Sequence, residues 1–322
     1  MVNDVGMDDW QQRFGLIEVR KIALNDTEHH RKTREGIYLN LTREVVIDRS
    51  VYLGLPQWEQ HLAVAVAVGL TADRAVVSGI AAARLWGLGT RSLDPTVDLT
   101  LTDSKPRARK SWPVNTRYRS ANLNPDQFTE KEGLRLTTKG RTVADIARWV
   151  GLIDAVIAID SVRRKHRDEP FEELRVEALG PGPFHGRETV RRALELSRPG
   201  IDSPLESWAR MLLIQADLGV EILTQVRIED SEGDSYFLLD LLVDRWLAIE
   251  VDGETKYDGS TFGKPTDEVI RAERRREKKL QNKGLVVLRV GVKDLIARGG
   301  RESNLVRQVR ELIAARTTGL SA

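Results

Sequence analysis

Two carboxylates ten positions apart carry the chemistry this chain is equipped for. Asp240 stands in Tyr236-Phe-Leu-Leu-Asp-Leu-Leu-Val243 and Glu250 in Trp246-Leu-Ala-Ile-Glu-Val-Asp-Gly253. Each follows apolar residues that would otherwise fill a strand interior. Such a place accepts an ionised carboxylate only when the charge is paired or binds a cation. Two of them meeting at adjacent strand ends would make an all-oxygen site for a hard cation, magnesium or manganese, with the Val251 carbonyl as a third donor. The competing reading makes Glu250 and Asp252 strand-end residues beside a turn, with Asp240 paired to an arginine of the basic helix downstream.

The elements that must position these side chains follow from the pattern of residues 199–316. Ser203-Pro-Leu-Glu206 starts a helix running from Pro204 to Leu218, with Pro204 at the first helical position. Glu206 has two readings that do not exclude each other: a capping-box glutamate reaching back to the cap amide, or an additional site carboxylate. Apolar runs predict strands at Ile222–Ile228, Tyr236–Val243 and Trp246–Val251. A long basic helix over Thr266–Lys283 precedes a strand at Leu285–Val290 and closing helices. The order α-β-β-β-α-β predicts an open α/β sheet covered by helices.

Upstream, three further regions separate. Residues 1–56 carry short helical patterns and then Arg34–Leu39 and Glu44–Asp48, which read as a β-hairpin. Helix then hairpin is the outline of a winged helix-turn-helix, with the basic stretch His30-Arg-Lys-Thr-Arg34 leading into the wing. Residues 57–165 alternate helix and strand: helices at Gln57–Val68, from Ser78 and from Gly140, with strands at Val97–Leu101 and Arg135–Thr137. Thr142 and Asp145 are the expected capping and first-turn residues of the Gly140 helix. Residues 166–198 read as a helical linker, in which a short helix around Glu188–Leu196 lies between two stretches rich in helix and strand breakers, Gly180-Pro-Gly-Pro-Phe-His-Gly186 and Arg198-Pro-Gly-Ile-Asp-Ser-Pro204.

Composition bounds the function. The absence of cysteine excludes disulfides, thiolate zinc sites and cysteine catalysis, and fits a reducing cytoplasm. No run of about 18 apolar residues suggests a membrane span, and the acidic first residues lack the order of a signal peptide. Net charge is only +2, yet Lys105–Lys110, Arg163–Arg167 and Arg271–Lys283 are basic clusters able to hold phosphates, or solvated faces with no such role. On the last of them Arg275 and Lys279 share a face at i, i+4, and Arg271 and Arg276 add charge. The histidines show no metal-ligand spacing, and Gly259-Ser-Thr-Phe-Gly-Lys264 is one residue short of a phosphate-binding loop.

Taken together, Ser203-Pro-Leu-Glu206, Asp240, Glu250-Val-Asp-Gly253, Glu273 with Arg276, and Gly284-Leu-Val-Val-Leu-Arg289 resemble the PD-(D/E)XK restriction-endonuclease-like superfamily. The nearest branch is that of the very-short-patch-repair endonucleases. Gly36-Ile-Tyr38, Ser78–Leu88 and Gly133–Thr137 with Arg141-Thr-Val-Ala-Asp145 are similar to the AbiEi antitoxin and regulator family, which begins with a winged helix-turn-helix. The resemblances imply a restriction-endonuclease-like αβββαβ core in residues 199–322 and a magnesium- or manganese-dependent DNA endonuclease acting on duplex DNA. Asp240, Glu250, Asp252, Lys256 and Glu206 would be its catalytic group, and Arg271, Arg275, Arg276 and Lys279 its nucleic-acid contacts. The implied setting is phage defence or mobile-element control in the cytoplasm. Two departures stand out: Asp252 occupies the slot usually held by lysine, and Lys256 stands where related short domains place a histidine. They keep open a non-catalytic DNA-binding antitoxin with a degenerate nuclease fold and a toxin or operon partner.

Overall fold

The computed structural model describes residues 10–23, 25–102, 112–230, 236–252, 266–297 and 299–319, with the side chains of residue 11 and of 266–273 excepted. The chain is mixed α/β, with 13 α-helices and three sheets among the described residues. It divides into two compact units, residues 1–158 with 167–195, and residues 159–166 with 196–322.

The first unit begins with α1 (Trp10–Phe14), β1 (Ile17–Glu18), a 3-10 turn at Val19–Lys21, α2 (Thr27–Arg34), β2 (Tyr38–Asn40) and β3 (Val45–Asp48). The strands form an antiparallel sheet of order β1-β3-β2. The basic stretch His30–Arg34 lies on α2 itself, capped by Asp26, whose side chain accepts from the His29 amide at 3.1 Å. After α3 (Arg49–Gly54) and α4 (Gln57–Leu70) come β4 (Ala75–Ser78), α5 (Gly79–Leu85), β5 (Val97–Leu101), β6 (Thr116–Arg119), β7 (Phe128–Lys131) and β8 (Leu134–Thr137). These five strands make a mixed sheet of order β6-β5-β4-β8-β7. Glu132 and Gly133, both at positive φ, close the β7–β8 hairpin as a two-residue primed turn. Trp10, Phe14, Val45 and Ile47 of the small sheet region pack into one apolar core with Leu62–Val68, Val77, Leu99 and Leu136. The two regions that read separately in sequence therefore share a core.

Helices α6 (Lys139–Trp149), α7 (Leu152–Lys165), α8 (Phe171–Leu179) and α9 (Arg187–Leu196) follow. Thr142 does not cap α6. It lies inside the helix, its hydroxyl 2.7 Å from that of Thr137, while Thr138 holds the cap position. Asp145 likewise lies beyond the first turn, paired with Arg141 at 2.9 Å.

The second unit holds α10 (Pro204–Gln215), β9 (Ile222–Glu229), β10 (Tyr236–Val243), β11 (Leu247–Asp252), α11 (Thr266–Asn282), β12 (Val286–Gly291), α12 (Val292–Leu295) and α13 (Asn304–Gly319). The sheet order is β12-β11-β10-β9, with β9, β10 and β11 antiparallel and β11 parallel to β12. A parallel pair needs a crossover, and α11 is the helix in it. Asp244 and Arg245, at φ 44 and 60, form a primed turn closed by the Trp246 amide on the Val243 carbonyl at 3.1 Å. That turn fixes the β10–β11 register through Val243↔Leu247 and Leu241↔Ile249.

Candidate functional site

Glu206 is fixed by the start of α10. The Ser203 hydroxyl accepts from the Glu206 amide at 3.1 Å, as an N-cap should. The reciprocal half of a capping box is displaced by one residue: the Glu206 carboxylate takes the amide of Asp202 at 3.2 Å, not that of Ser203. The same oxygen accepts from Gln225 Nε2 of β9 at 2.6 Å. Helix α10 is anchored by a buried network on Asp160, whose carboxylate accepts from Ser207 Oγ at 2.8 Å, Arg210 Nη2 at 3.3 Å and the Arg198 amide at 2.8 Å. Arg163 donates to Ser197, and Arg164 to the Asp202 carbonyl. Part of the Arg163–Arg167 cluster thus holds the chain leading into α10.

Asp240 lies at a break in the sheet. Carrying the β10–β11 register one step past Leu241↔Ile249 sets Asp240 opposite Glu250, but the regular pairing stops at Leu241. The Asp240 carboxylate instead accepts the Val251 amide at 2.8 Å. On its other side β9–β10 pairing passes from Leu239↔Val226 to Leu241↔Thr224, and the skipped Gln225 has φ 51. Leu239 and Leu242, which strict alternation would put on opposite faces, belong to one apolar cluster with Ala248, Leu280 and Leu285. The inside–outside phase therefore changes across Asp240. A distortion of this kind re-aims a side chain.

Charge gathers at this break. Burial holds the Glu206 carboxyl above its ordinary range, and the negative charge of Asp240 pushes in the same direction. Glu250 is also raised, first by burial and further by Asp240 and Asp252, against the lowering pull of Arg276 and Arg289. Asp240 is thus electrostatically coupled to both glutamates, one on α10 and one on β11. Arg276 Nη2 stands 2.8 Å from Glu250 Oε1 and donates to the Leu238 carbonyl at 2.8 Å. Arg289, in register with Glu250 on β12, stands 3.5 Å from Oε2. Despite the short Arg276 contact, Glu250 Oε1 is buried and makes no hydrogen bond among the described residues: the contact is ionic, with poor angular geometry. An arginine of the basic helix, Arg276, pairs with Glu250.

The basic helix divides its charges. Arg274, Arg275 and Lys278 are exposed, whereas Arg276 turns to the sheet and Lys279 reaches Asp230 at 2.9 Å. Arg271 lies in α11, but its side chain is outside the described residues, as are Lys256, the loop 259–264 and the cluster 105–110. Asp252 is half-buried at the end of β11, in register with Gly291. Gln225 was not singled out by sequence reading, and Arg289 entered it only as the last residue of the Gly284–Arg289 motif, with no role at the site. An arginine inside Val286-Val-Leu-Arg-Val290 carries the same signal as Glu250, a charge in an apolar run, and parallel register puts the two side by side. No family model matches this chain, and no curated protein matches it. Among the described residues no three acidic or histidine side chains converge as a metal-holding group, and no helix is long and apolar enough to cross a membrane.

Proposed function

We propose that the second unit is a divalent-cation-dependent phosphodiesterase acting on duplex DNA, built on a restriction-endonuclease-like core. The observation that carries this reading is Asp240 at the sheet break, coupled to Glu206 and Glu250, with a Glu250 oxygen buried and without a hydrogen bond. The helix, three strands, crossover helix and parallel strand that frame it support the fold assignment.

The donors fit a hard cation. Asp240 and Glu250 offer carboxylate oxygens and Val251 a carbonyl, and the orphaned Glu250 oxygen lacks a partner of good geometry. When bound there, magnesium or manganese supplies charge neutralisation at the phosphate and acidifies water. The chain's own residues do the rest. Asp240 is oriented by the Val251 amide, and Arg276 and Arg289 hold Glu250. Glu206, raised by burial and by Asp240, is suited to keep or exchange a proton beside the reacting group. Lys256 is the proposed cation that meets the phosphate or polarises water. Arg271, Arg275 and Lys279 are the proposed backbone contacts of α11. The order helix, strand, turn, helix, hairpin with sheet order β1-β3-β2 supports a winged helix in the first unit as the DNA-binding element.

The test is cleavage of supercoiled and linear duplex DNA with magnesium or manganese. Asp240→Ala and Glu250→Ala each abolish cleavage while the protein stays folded; full activity in both removes the mechanism. One observation favours a second reading. Glu250 sits between two arginines that can neutralise it without any metal, as suits a non-catalytic regulator, an antitoxin with a toxin or operon partner. Operator binding that survives chelation, with no cleavage of any nucleic acid, is what that reading requires. A role in phage defence or mobile-element control belongs to either reading.

A further inference from the structure

A second polar centre lies in the first unit. Arg141, Ala144 and Arg148 recur at i, i+3 and i+7 along α6 and line one wall of a cavity of about 280 Å³. Opposite stand the segment Asn122–Gln127, the end of α8 at Glu177 and Ala178, and the turn carrying Pro181, Pro183 and Phe184. That turn read from its composition as linker. It is held in place by Arg187, whose Nη1 donates to the carbonyls of Leu179, Gly180 (3.1 Å) and Gly182 (2.6 Å).

Two glycines let the walls close. A Cβ on Gly140 would stand 2.6 Å from the Glu177 carboxylate, which accepts the Gly140 amide at 2.8 Å. A Cβ on Gly186, where φ is +83, would meet Arg148 at 2.8 Å.

The donors here exceed the acceptors. Arg141 is 4 % exposed. Its Nη1 donates to the Asn122 carbonyl at 2.8 Å and Gln127 Oε1 at 2.7 Å, and its Nε to Asp145 at 2.9 Å. Its Nη2 is buried and makes no hydrogen bond among the described residues, and neither do Arg148 Nε and Asp145 Oδ2. The Arg148 guanidinium stacks on Phe184 at 5.4 Å and lies 3.5 Å from Asp145. Two of these atoms, Arg141 Nη2 and Arg148 Nε, are donors on residues that line the cavity, and native interiors leave few such groups unsatisfied. Asp145 is shared between both arginines, and Glu177 is committed to the Gly140 amide. Two guanidiniums on one small cavity suit an acceptor-rich anion.

We propose that this cavity is a binding site for a small oxyanion, a phosphate monoester or a carboxylate, held by Arg141 and Arg148 with its non-ionic part against Phe184 and the two prolines. It is independent of the DNA-cleaving reading of the second unit.

The experiment is calorimetric titration of the full-length protein with inorganic phosphate and, separately, with succinate, at an ionic strength fixed with sodium chloride. Saturable binding of either probe is expected, and the tighter one assigns the class. Two variants are read beside the native protein. Arg148→Gln removes one guanidinium and leaves the Arg141–Asp145 pair. Ala144→Met fills the cavity and leaves every charge in place, so either one alone suffices if the other does not fold. Affinity is expected to fall at least tenfold in each folded variant, while Arg31→Ala on α2 leaves it unchanged. No saturable binding of either probe would mean that the unpartnered atoms hold only water. Binding equally tight in the folded variants would be an adventitious surface ion. Either result overturns the proposal.

Discussion

If the carboxylate site binds magnesium as proposed, replacing Arg276 by methionine is expected to tighten that binding. The guanidinium stands 2.8 Å from Glu250 Oε1 and occupies the side of that carboxylate on which a cation would compete. Two unit charges about 4 Å apart interact with about 4 kcal/mol at an effective dielectric constant of 20. The Arg276 side chain is 38 % exposed, so solvent screens much of this and about 1–2 kcal/mol is a fair remainder. That corresponds to a roughly tenfold lower magnesium Kd. Removing Arg276 also removes one of the two charges that lower the Glu250 pKa, so protonation competes with the metal more strongly in the variant. Calorimetry at pH 8, well above the carboxylate range, separates the effects, and a repeat at pH 6 should show a smaller gain. Methionine keeps the aliphatic bulk along the sheet. Weaker magnesium binding in the variant at pH 8, with the fold retained, would refute a site in which Arg276 and the cation compete for Glu250.

Asp145 makes stability depend on pH with a definite sign. Burial raises it from 3.8 to about 6 against the pull of Arg141 and Arg148, with Asp98 pushing the same way as burial. Folding thus takes up a proton between those values, and stability falls by about 3 kcal/mol as pH rises through that window. Urea midpoints at pH 5 and 7.5 should show about half of this fall, and Asp145→Asn should flatten the slope. Gly140→Ala forces a Cβ against Glu177 and should cost about 1–2 kcal/mol, since overpacking outweighs the helix-propensity gain. A raised melting temperature would contradict the close approach. Leu280→Ala opens a hole in the cluster with Leu239, Leu242, Ala248 and Leu285 and should cost about 2–5 kcal/mol in denaturant unfolding of the second unit.

What the sequence discloses here is set by the range of the interaction that carries each signal. Tyr236–Val243 emerges with its predicted ends because a long apolar run bounded by turn residues is a local property. The start of α10 does too, since Ser203 and Pro204 act within one turn. Strand β1, two residues long, has no room for a period, and β4, Ala-Val-Val-Ser, is a short apolar run that suits helix or strand equally. β1 becomes a strand because β3 lies beside it, and β4 because β5 and β8 flank it. The same distinction governs the sites. Asp240 and Glu250 stand out because a charge in an apolar run is visible locally. That Glu250 meets Arg289 depends on the parallel register of strands joined through α11, and that it meets Arg276 depends on which face of α11 turns to the sheet. The Arg141–Asp145–Arg148 cluster is the converse case: its i, i+4 and i, i+3 spacings are local, and on an exposed helix they would be ordinary surface pairs. Only the walls supplied by Glu177, Phe184 and Asn122 enclose a cavity beside them and leave buried polar atoms wanting a partner. A charged motif becomes a site through what encloses it, and the enclosure is the part of the fold that distant residues write.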